Sequence, residues 1–150
     1  MSNQSIKFKI ITPERTVFES EVSQVTLPVS EGEVTILPSH RPYIASLESG
    51  EIVLKTNTSG IEEETSLVVS GGFIEFNENS LIVLADTAER AEEIDLKRAE
   101  EARARAEELK KNRIDMDETD YARVAAAIQK ESARIRVAQK HYTRRGIKIN

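Results

Sequence analysis

Residues 81–111 read LIVLADTAERAEEIDLKRAEEARARAEELKK, and the periodicity of the sequence changes within this stretch. Its first four residues form a short apolar, partly β-branched run that is typical of a strand. From Ala88 onward the stretch contains no glycine or proline and consists mostly of Ala, Glu, Arg, Lys and Leu, which are strong helix formers. Asp86 or Thr87 is placed to cap this helix. The stretch therefore predicts that a β region gives way here to a helical region.

The residues before this change have the pattern of short strands. Ile6 to Ile10 alternates apolar and polar side chains, as a half-buried strand does. Further apolar runs follow at near-regular spacing, and turn formers separate them. Gly71 and Gly72, between two of these runs, are predicted to form a tight turn. About ten short strands are expected, and the predicted fold of residues 1–86 is a β sandwich or flattened barrel.

The residues after the change predict two helices, the first over about 88–111 and the second from about Glu118 to Lys140. Because helices joined by a short loop usually pack antiparallel, an α-helical hairpin over about 88–140 is expected, with its linker at 112–117. The apolar stripes are narrow and rich in alanine, so their packing buries little area. We therefore predict two domains, 1–86 and 87–150, of which the hairpin is less stable and residues beyond 140 fray.

Composition excludes several classes of function. The 150 residues include no cysteine, which rules out disulfides and thiolate chemistry. No apolar segment approaches the roughly 20 residues of a membrane span, and the N-terminus does not resemble a secretory signal. There is no phosphate-binding glycine loop, and His40 and His141 have no partner at metal-site spacing. We predict no catalytic residues, no metal and no required cofactor.

Charge is distributed unevenly along the chain. Residues 1–86 carry 5 basic and 13 acidic residues, whereas residues 121–150 carry 8 basic residues and 1 acidic residue. A basic C-terminal helix of this kind implies an anionic partner. The net charge of the whole chain, −5, conceals this difference.

Two segments carry candidate binding chemistry. The loop from Gly32 to Pro42 places two prolines and His40 between apolar runs, which fits a rigid partner-binding loop and an ordinary connection equally well. Arg98 and Arg105 are seven residues apart and share a helix face, and Arg134 on the second helix could face them. Clustered guanidinium groups can chelate a polyphosphate. The pattern alone nevertheless favours a solvated helix with internal salt bridges.

Five segments follow one another along nearly the whole chain in a familiar order. They are Thr12-Pro13-Glu14-Arg15, the loop Gly32 to Pro42, Val69-Ser70-Gly71-Gly72-Phe73, Leu84-Ala85-Asp86-Thr87-Ala88 and Ile94-Asp95-x-x-Arg98-Ala99. Together they resemble the epsilon subunits of bacterial and plastid F-type ATP synthases. The resemblance implies a non-catalytic central-stalk, or rotor, subunit that helps couple proton flow to ATP synthesis. It also implies inhibition of ATP hydrolysis by the C-terminal helices.

The resemblance further implies the partners of the sandwich. The sandwich is expected to bind the gamma subunit and to touch the membrane c-ring, with Glu33 and His40 on the contacting surface. Membrane association would then occur only through the complex. The expected location is the cytoplasmic face of a bacterial cell membrane, or the stromal thylakoid face in a plastid.

For the hairpin, the resemblance implies a folded form and a form extended along gamma into the catalytic alpha/beta hexamer. In some relatives ATP binds the folded form as a regulatory ligand. The matching positions are Glu89, Asp95, Arg98, Ala99, Arg105, Lys130 and Arg134. Lys130 stands where the best ATP binders have arginine, so weak binding is predicted. An acidic loop of the beta subunit is the expected partner of the basic positions Arg123, Lys130, Arg134, Arg136 and Lys140.

Two other interpretations are open. A nucleic-acid-binding protein would explain the basic helix, but Tyr121 and Tyr142 are the only aromatics there for base stacking, so no nucleic-acid partner is expected. A free-standing ATP sensor or small nucleotide enzyme would bind ATP without a protein partner. Binding to gamma and not to DNA would exclude the nucleic-acid-binding protein. A turnover assay on the isolated chain that shows no activity would exclude the nucleotide enzyme.

Overall fold

The computed structural model describes residues 4–112 and 116–148, and the chain divides into two compact units, Met1–Arg90 and Ala91–Asn150. The predicted fold class, a β sandwich followed by a helical hairpin, is confirmed. Within the described residues the strands are β1 Ile6–Ile11, β2 Thr16–Val22, β3 Gln24–Val29, β4 Gly32–Ile36, β5 Tyr43–Leu47, β6 Gly50–Thr58, β7 Ile61–Asn77 and β8 Ser80–Arg90. A 3-10 turn, Ala91–Glu93, precedes the helices α1, Leu96–Lys111, and α2, Glu118–Arg144.

The long strand β7 connects the two layers of the sandwich because it changes partner along its length. Its first half pairs antiparallel with β6 and its second half with β5, while β8 pairs with both halves. On one side β1 pairs in parallel with β8 and antiparallel with β2. On the other side β3 pairs antiparallel with β4, β5 and β6. The core between the layers is a cluster of apolar side chains that includes Phe8, Leu27, Ile52 and Phe76.

Gly71 and Gly72 lie inside β7, so the predicted tight turn is wrong. Their φ angles are +72° and +129°, values that glycine adopts without steric cost. The chain bends there without leaving the ladder, since Gly72 still pairs with Ala85 on β8. The bend is where β7 passes from β6 to β5. Two of the predicted strands are therefore one, and the described residues form eight strands where about ten were expected.

Helix α1 begins at Leu96, eight residues later than predicted. Residues 88–90 have good helix propensity, but they are the last residues of β8, where Ala88 pairs with Val69. Strand pairing overrides local propensity at this point. The boundary between the two units accordingly falls after Arg90.

Aspartates cap both helices. The side chain of Asp95 accepts a hydrogen bond from the backbone N–H of Arg98 at 3.0 Å, so the predicted cap at Asp86 or Thr87 is wrong. Asp117 likewise accepts from the N–H of Asp120 at 2.8 Å. Each carboxylate accepts a hydrogen bond from a backbone N–H that has no partner within the helix. Its negative charge also interacts favourably with the positive end of the helix dipole.

The hairpin is packed through small side chains. Ala99 and Ala106 are the buried residues of α1, whereas Leu109 is 53% exposed. Helix α2 buries Ala133, Ile135, Val137 and Ala138. The part of the predicted linker at 113–115 lies outside the described residues. No helix in the described part of the chain has the length and apolarity needed to cross a bilayer.

The C-terminal end of α2 is ordered by a capping motif. The helix extends to Arg144, and Gly146 follows it with a φ of +66°. The N–H of Gly146 donates to the carbonyl of Thr143 at 3.2 Å, and the N–H of Ile147 donates to that of Tyr142 at 3.0 Å. These two bonds form a Schellman motif. The prediction that the chain frays after 140 is therefore wrong for the residues up to 148.

Candidate functional site

The candidate nucleotide residues are divided between the two units. Glu89 lies on β8 in the first unit and is partly buried, whereas the other six lie on the hairpin. Ala99 is completely buried. Asp95 is occupied as the cap of α1, so its carboxylate has a structural role whether or not a ligand binds.

Arg98 and Arg105 are the exposed basic members of the set, and Asp95 is exposed as well. They are two turns apart on α1, which separates their Cα atoms by about 10 Å along the helix axis. Both side chains can reach solvent on one face, as a polyphosphate site requires. Lys130 on α2 is partly buried.

Arg134 is held by a neighbouring acid, Glu131. Its Nη1 atom donates a hydrogen bond to Oε2 of Glu131 at 2.8 Å, and the two side chains are only 15% and 13% exposed. The signal for this pair was present in the sequence, since residues three apart on a helix are neighbours.

A cavity of about 490 Å³ lies where the two ends of the hairpin meet. Its described lining residues are Asp95, Leu96, Lys97, Glu100, Tyr142, Ile147 and Lys148. The end of α2 and its cap therefore lie beside the first turn of α1, as an antiparallel hairpin requires. The role of Tyr142 and Ile147 in this packing was not predicted, because their segment was expected to fray.

The loop that contains His40 is a defined turn. The N–H of His40 donates to the carbonyl of Leu37 at 3.1 Å, with Pro38 and Ser39 as the central residues. Proline at the first central position and a φ of +66° at Ser39 correspond to a type II turn. Ser39 therefore adopts the left-handed conformation that glycine prefers.

Side chains fix this turn to the rest of the sandwich. The N–H of Ser39 donates to Oδ1 of Asn79 at 2.6 Å, and its hydroxyl donates to Oε1 of Gln4 at 2.6 Å. The partly buried His40 ring packs edge-on against Tyr43 and Phe76. Glu33 lies on β4 and is exposed. The turn is thus held rigidly, and His40 contributes to local packing as well as to the surface.

The five basic positions of α2 do not form one continuous stripe. Spacings of seven and four place Arg123, Lys130 and Arg134 on one face of the helix. Arg136 and Lys140, four residues apart, lie on another face, whose centre is about 120° away at 100° per residue. Arg123 and Arg136 are exposed, while the other three are partly buried.

An apolar surface on the outer side of the sandwich was not predicted. Ile44 on β5, Phe73 on β7, and Ile82 and Leu84 on β8 are 73%, 61%, 37% and 53% exposed. Phe73 pairs directly with Leu84, so the strands place these side chains together on one sheet face. We call these four residues the outer apolar face. The sequence signal was Phe73-Ile74-Glu75-Phe76, which carries apolar side chains on both faces of one strand.

Comparison with known proteins assigns both units of the chain. Residues 5–91 match the family model of the ATP synthase delta/epsilon chain β-sandwich domain. Residues 92–139 match that of the ATP synthase delta/epsilon chain long α-helix domain. The Schellman motif at 142–147 lies beyond the matched region.

Individual relatives agree with this assignment. The ATP synthase epsilon chain of Dehalococcoides mccartyi strain BAV1 is 44% identical over 135 residues, covering 90% of this chain and 93% of the relative. That of Nitratidesulfovibrio vulgaris strain DP4 is 40% identical, covering 89% and 96%. A chain in the cryo-electron microscopy structure of the Euglena gracilis mitochondrial ATP synthase has the same fold, with a TM-score of 0.73 at 19% identity, covering 93% of this chain and 82% of its own. The chain therefore belongs to the ATP synthase delta/epsilon chain family.

Proposed function

We propose that this chain is a central-stalk rotor subunit of an F-type ATP synthase, without an active site of its own, that restrains ATP hydrolysis through α1 and α2. The observation that carries the proposal is the outer apolar face. Monomeric proteins rarely expose clustered large apolar side chains, and such a patch is typical of a protein–protein interface. The family assignment indicates which assembly supplies the partner.

In this proposal the sandwich binds the gamma subunit through the outer apolar face. The turn Leu37–His40 and the exposed Glu33 then contact polar loops of the c-ring. A rigid turn suits this role, because a coupling contact must transmit torque without deforming. The chain would associate with the cytoplasmic face of the membrane through the complex alone.

The hairpin has the properties that a detachable regulatory element needs. Because the buried side chains of α1 are alanines, their packing contributes little free energy, and local opening is correspondingly easy. The basic residues of α2 can form several weak ion pairs with an anionic partner. That partner is proposed to be an acidic loop of the catalytic beta subunit. Exposed pairs are worth about 0–1 kcal/mol each, so several must act together.

ATP is proposed as a weak regulatory ligand of the hairpin, held by Arg98, Arg105 and Arg134. The exposure of the first two arginines supports this, and the lysine at 130 limits the affinity because an ammonium group lacks the planar fork of arginine. At 100 times its dissociation constant, ATP would stabilise the bound form by about 2.7 kcal/mol. That is enough to reverse a balance between two hairpin states of similar free energy.

The proposed rotor function is tested by copurification. A tagged full-length chain, expressed with the gamma subunit from the same genome, should retain gamma through size-exclusion chromatography. Replacing Phe73 and Leu84 by serine should abolish retention while leaving the circular dichroism spectrum unchanged. A chain that never retains gamma would contradict the proposal.

A further inference from the structure

Arg134 binds a carboxylate of its own helix. Its bond to Glu131, 2.8 Å long and one helical turn away, joins side chains that are 15% and 13% exposed. The Arg103–Glu107 pair on α1 has similar geometry, 3.1 Å, but its side chains are 42% and 46% exposed. Water and salt weaken the exposed Arg103–Glu107 pair more than the Arg134–Glu131 pair, because charges that are buried are screened less by solvent and ions.

Glu131 is also exceptional in the sequence. It is the single acidic residue among residues 121–150, which otherwise carry eight basic residues. Its position, three residues before Arg134, is a spacing at which side chains on a helix meet. An acid at this one place offsets the charge of Arg134, with which it forms an ion pair.

A phosphate group and a carboxylate use the same donors of a guanidinium group, because both are anions that accept from its planar fork. A phosphate that approaches Arg134 must therefore displace Glu131 or share the fork with it. Displacement leaves a largely buried carboxylate without that partner, and sharing brings two anions close together. Both outcomes raise the free energy of the nucleotide-bound state.

We propose that Glu131 is an internal competitor for Arg134, and that it sets the affinity of the hairpin for ATP well below the value that the arginines alone would give. The inference rests on the proposed function, since it requires that ATP bind the hairpin. Glu131 acts through Arg134 and is a positioning residue without any contact to the ligand. It supplies a cause of weak binding that is separate from the lysine at 130.

The test is the dissociation constant of ATP, measured by titration calorimetry on the full-length chain at fixed ionic strength. Glu131→Gln keeps the shape of the side chain and removes its charge, and ATP should then bind about tenfold more tightly, as expected when a charge-assisted bond no longer opposes it. Glu131→Ala should give a similar gain in ATP affinity. Because alanine has a high helix propensity, this second variant keeps the test valid if the glutamine variant folds poorly. Glu107→Gln is the matched control and should change the constant by less than about twofold, because its pair is exposed.

A double-substitution cycle separates competition from a change in helix stability. In the background of Arg134→Gln, the Glu131→Gln change should bring no gain, because there is no guanidinium left to release. A gain that persists in this background would overturn the inference. Measurable ATP binding that is equal in the wild-type chain and in both Glu131 variants would also overturn it while leaving the proposed ATP site intact. No binding to any of these chains at millimolar ATP would contradict both the inference and the ATP site.

Discussion

Gly72 lies so close to Leu84 that a β-carbon added to the glycine would be 1.9 Å from the carbonyl oxygen of Leu84. Real β-carbons do not approach a carbonyl oxygen this closely, so one of the two strands would have to move. The φ angle of Gly72, +129°, is in addition a conformation that other residues rarely adopt. This contact is where β7 bends from one partner strand to the next.

We expect Gly72→Ala to destabilise the sandwich by about 2–5 kcal/mol, the combined cost of a strained backbone and an overpacked contact. Urea unfolding followed by circular dichroism measures this. Gly60→Ala is the matched control: its φ is +85°, but a β-carbon there meets no atom within 4 Å, so it should cost only about 1 kcal/mol. Equal losses in the two variants would show that the close approach to Leu84 is not important.

For the cap of α1, we expect Asp95→Ala to lower hairpin stability by about 1 kcal/mol and Asp95→Asn to lower it by less, because asparagine is an equally good cap and loses only the charge at the helix N-terminus. Thermal unfolding followed at 222 nm measures both. ATP titration of the asparagine variant then isolates the role of the charge: a loss of affinity without a loss of helix would indicate direct ligand contact. If alanine and asparagine are equally destabilising, the capping bond to Arg98 is not what holds this helix start.

The sequence was sufficient to predict a β sandwich, a change of period and a helical hairpin, because alternation and composition report directly on burial. It could not show that Gly71 and Gly72 bend a strand, since a tight turn and a kink within a strand use the same residue type. The start of α1 was misplaced because residues 88–90 favour a helix locally and are held as strand by pairing with distant residues. Such pairing is not encoded in local propensity.

The candidate sites show a similar division. The positions of Arg98 and Arg105 on one face follow from helical spacing alone, and the structure exposes both. The engagement of Arg134 by Glu131 depends on rotamers, and the outer apolar face depends on which strands are neighbours. The sequence carries a signal for each, the spacing of three for the pair and the apolar side chains on both faces of Phe73–Phe76 for the surface, but the contact itself is set by the three-dimensional arrangement.

At the outer apolar face, Phe73→Ser together with Leu84→Ser should weaken binding of the gamma subunit at least tenfold, because central apolar anchors dominate interface energetics. Biolayer interferometry with immobilised gamma gives the dissociation constant. Ile61→Ser is the control, since Ile61 is 66% exposed but lies at the start of β7, away from this face. A control that weakens binding as much as the double variant would place the interface elsewhere.

For α2, replacing Arg134, Arg136 and Lys140 together by alanine should raise ATP hydrolysis by the assembled complex several-fold, while any single replacement has little effect. The matched control replaces Arg144, Arg145 and Lys148, an equal charge at the C-terminal end of α2 and just after it. A control variant that activates equally would indicate a general electrostatic effect. Unchanged hydrolysis with the first triple, in a complex that loss of the hairpin does activate, would exclude charge as the means of inhibition.

The structure also fixes where the sandwich can be cut. A chain ending after Arg90 keeps all of β8, whereas one ending after Thr87 loses the residues that pair with Leu67, Val68 and Val69. The sandwich alone should therefore fold and bind gamma when it ends at Arg90, and the shorter form should be less stable.

The most direct measurement of the whole account is the ATP hydrolysis rate of one F1 preparation lacking this subunit, reconstituted either with the full chain or with the form ending at Arg90. Gamma retention is checked in both samples. The account predicts that both forms bind gamma and that only the full chain lowers the hydrolysis rate. Equal hydrolysis rates in two complexes that have both retained the subunit would contradict it.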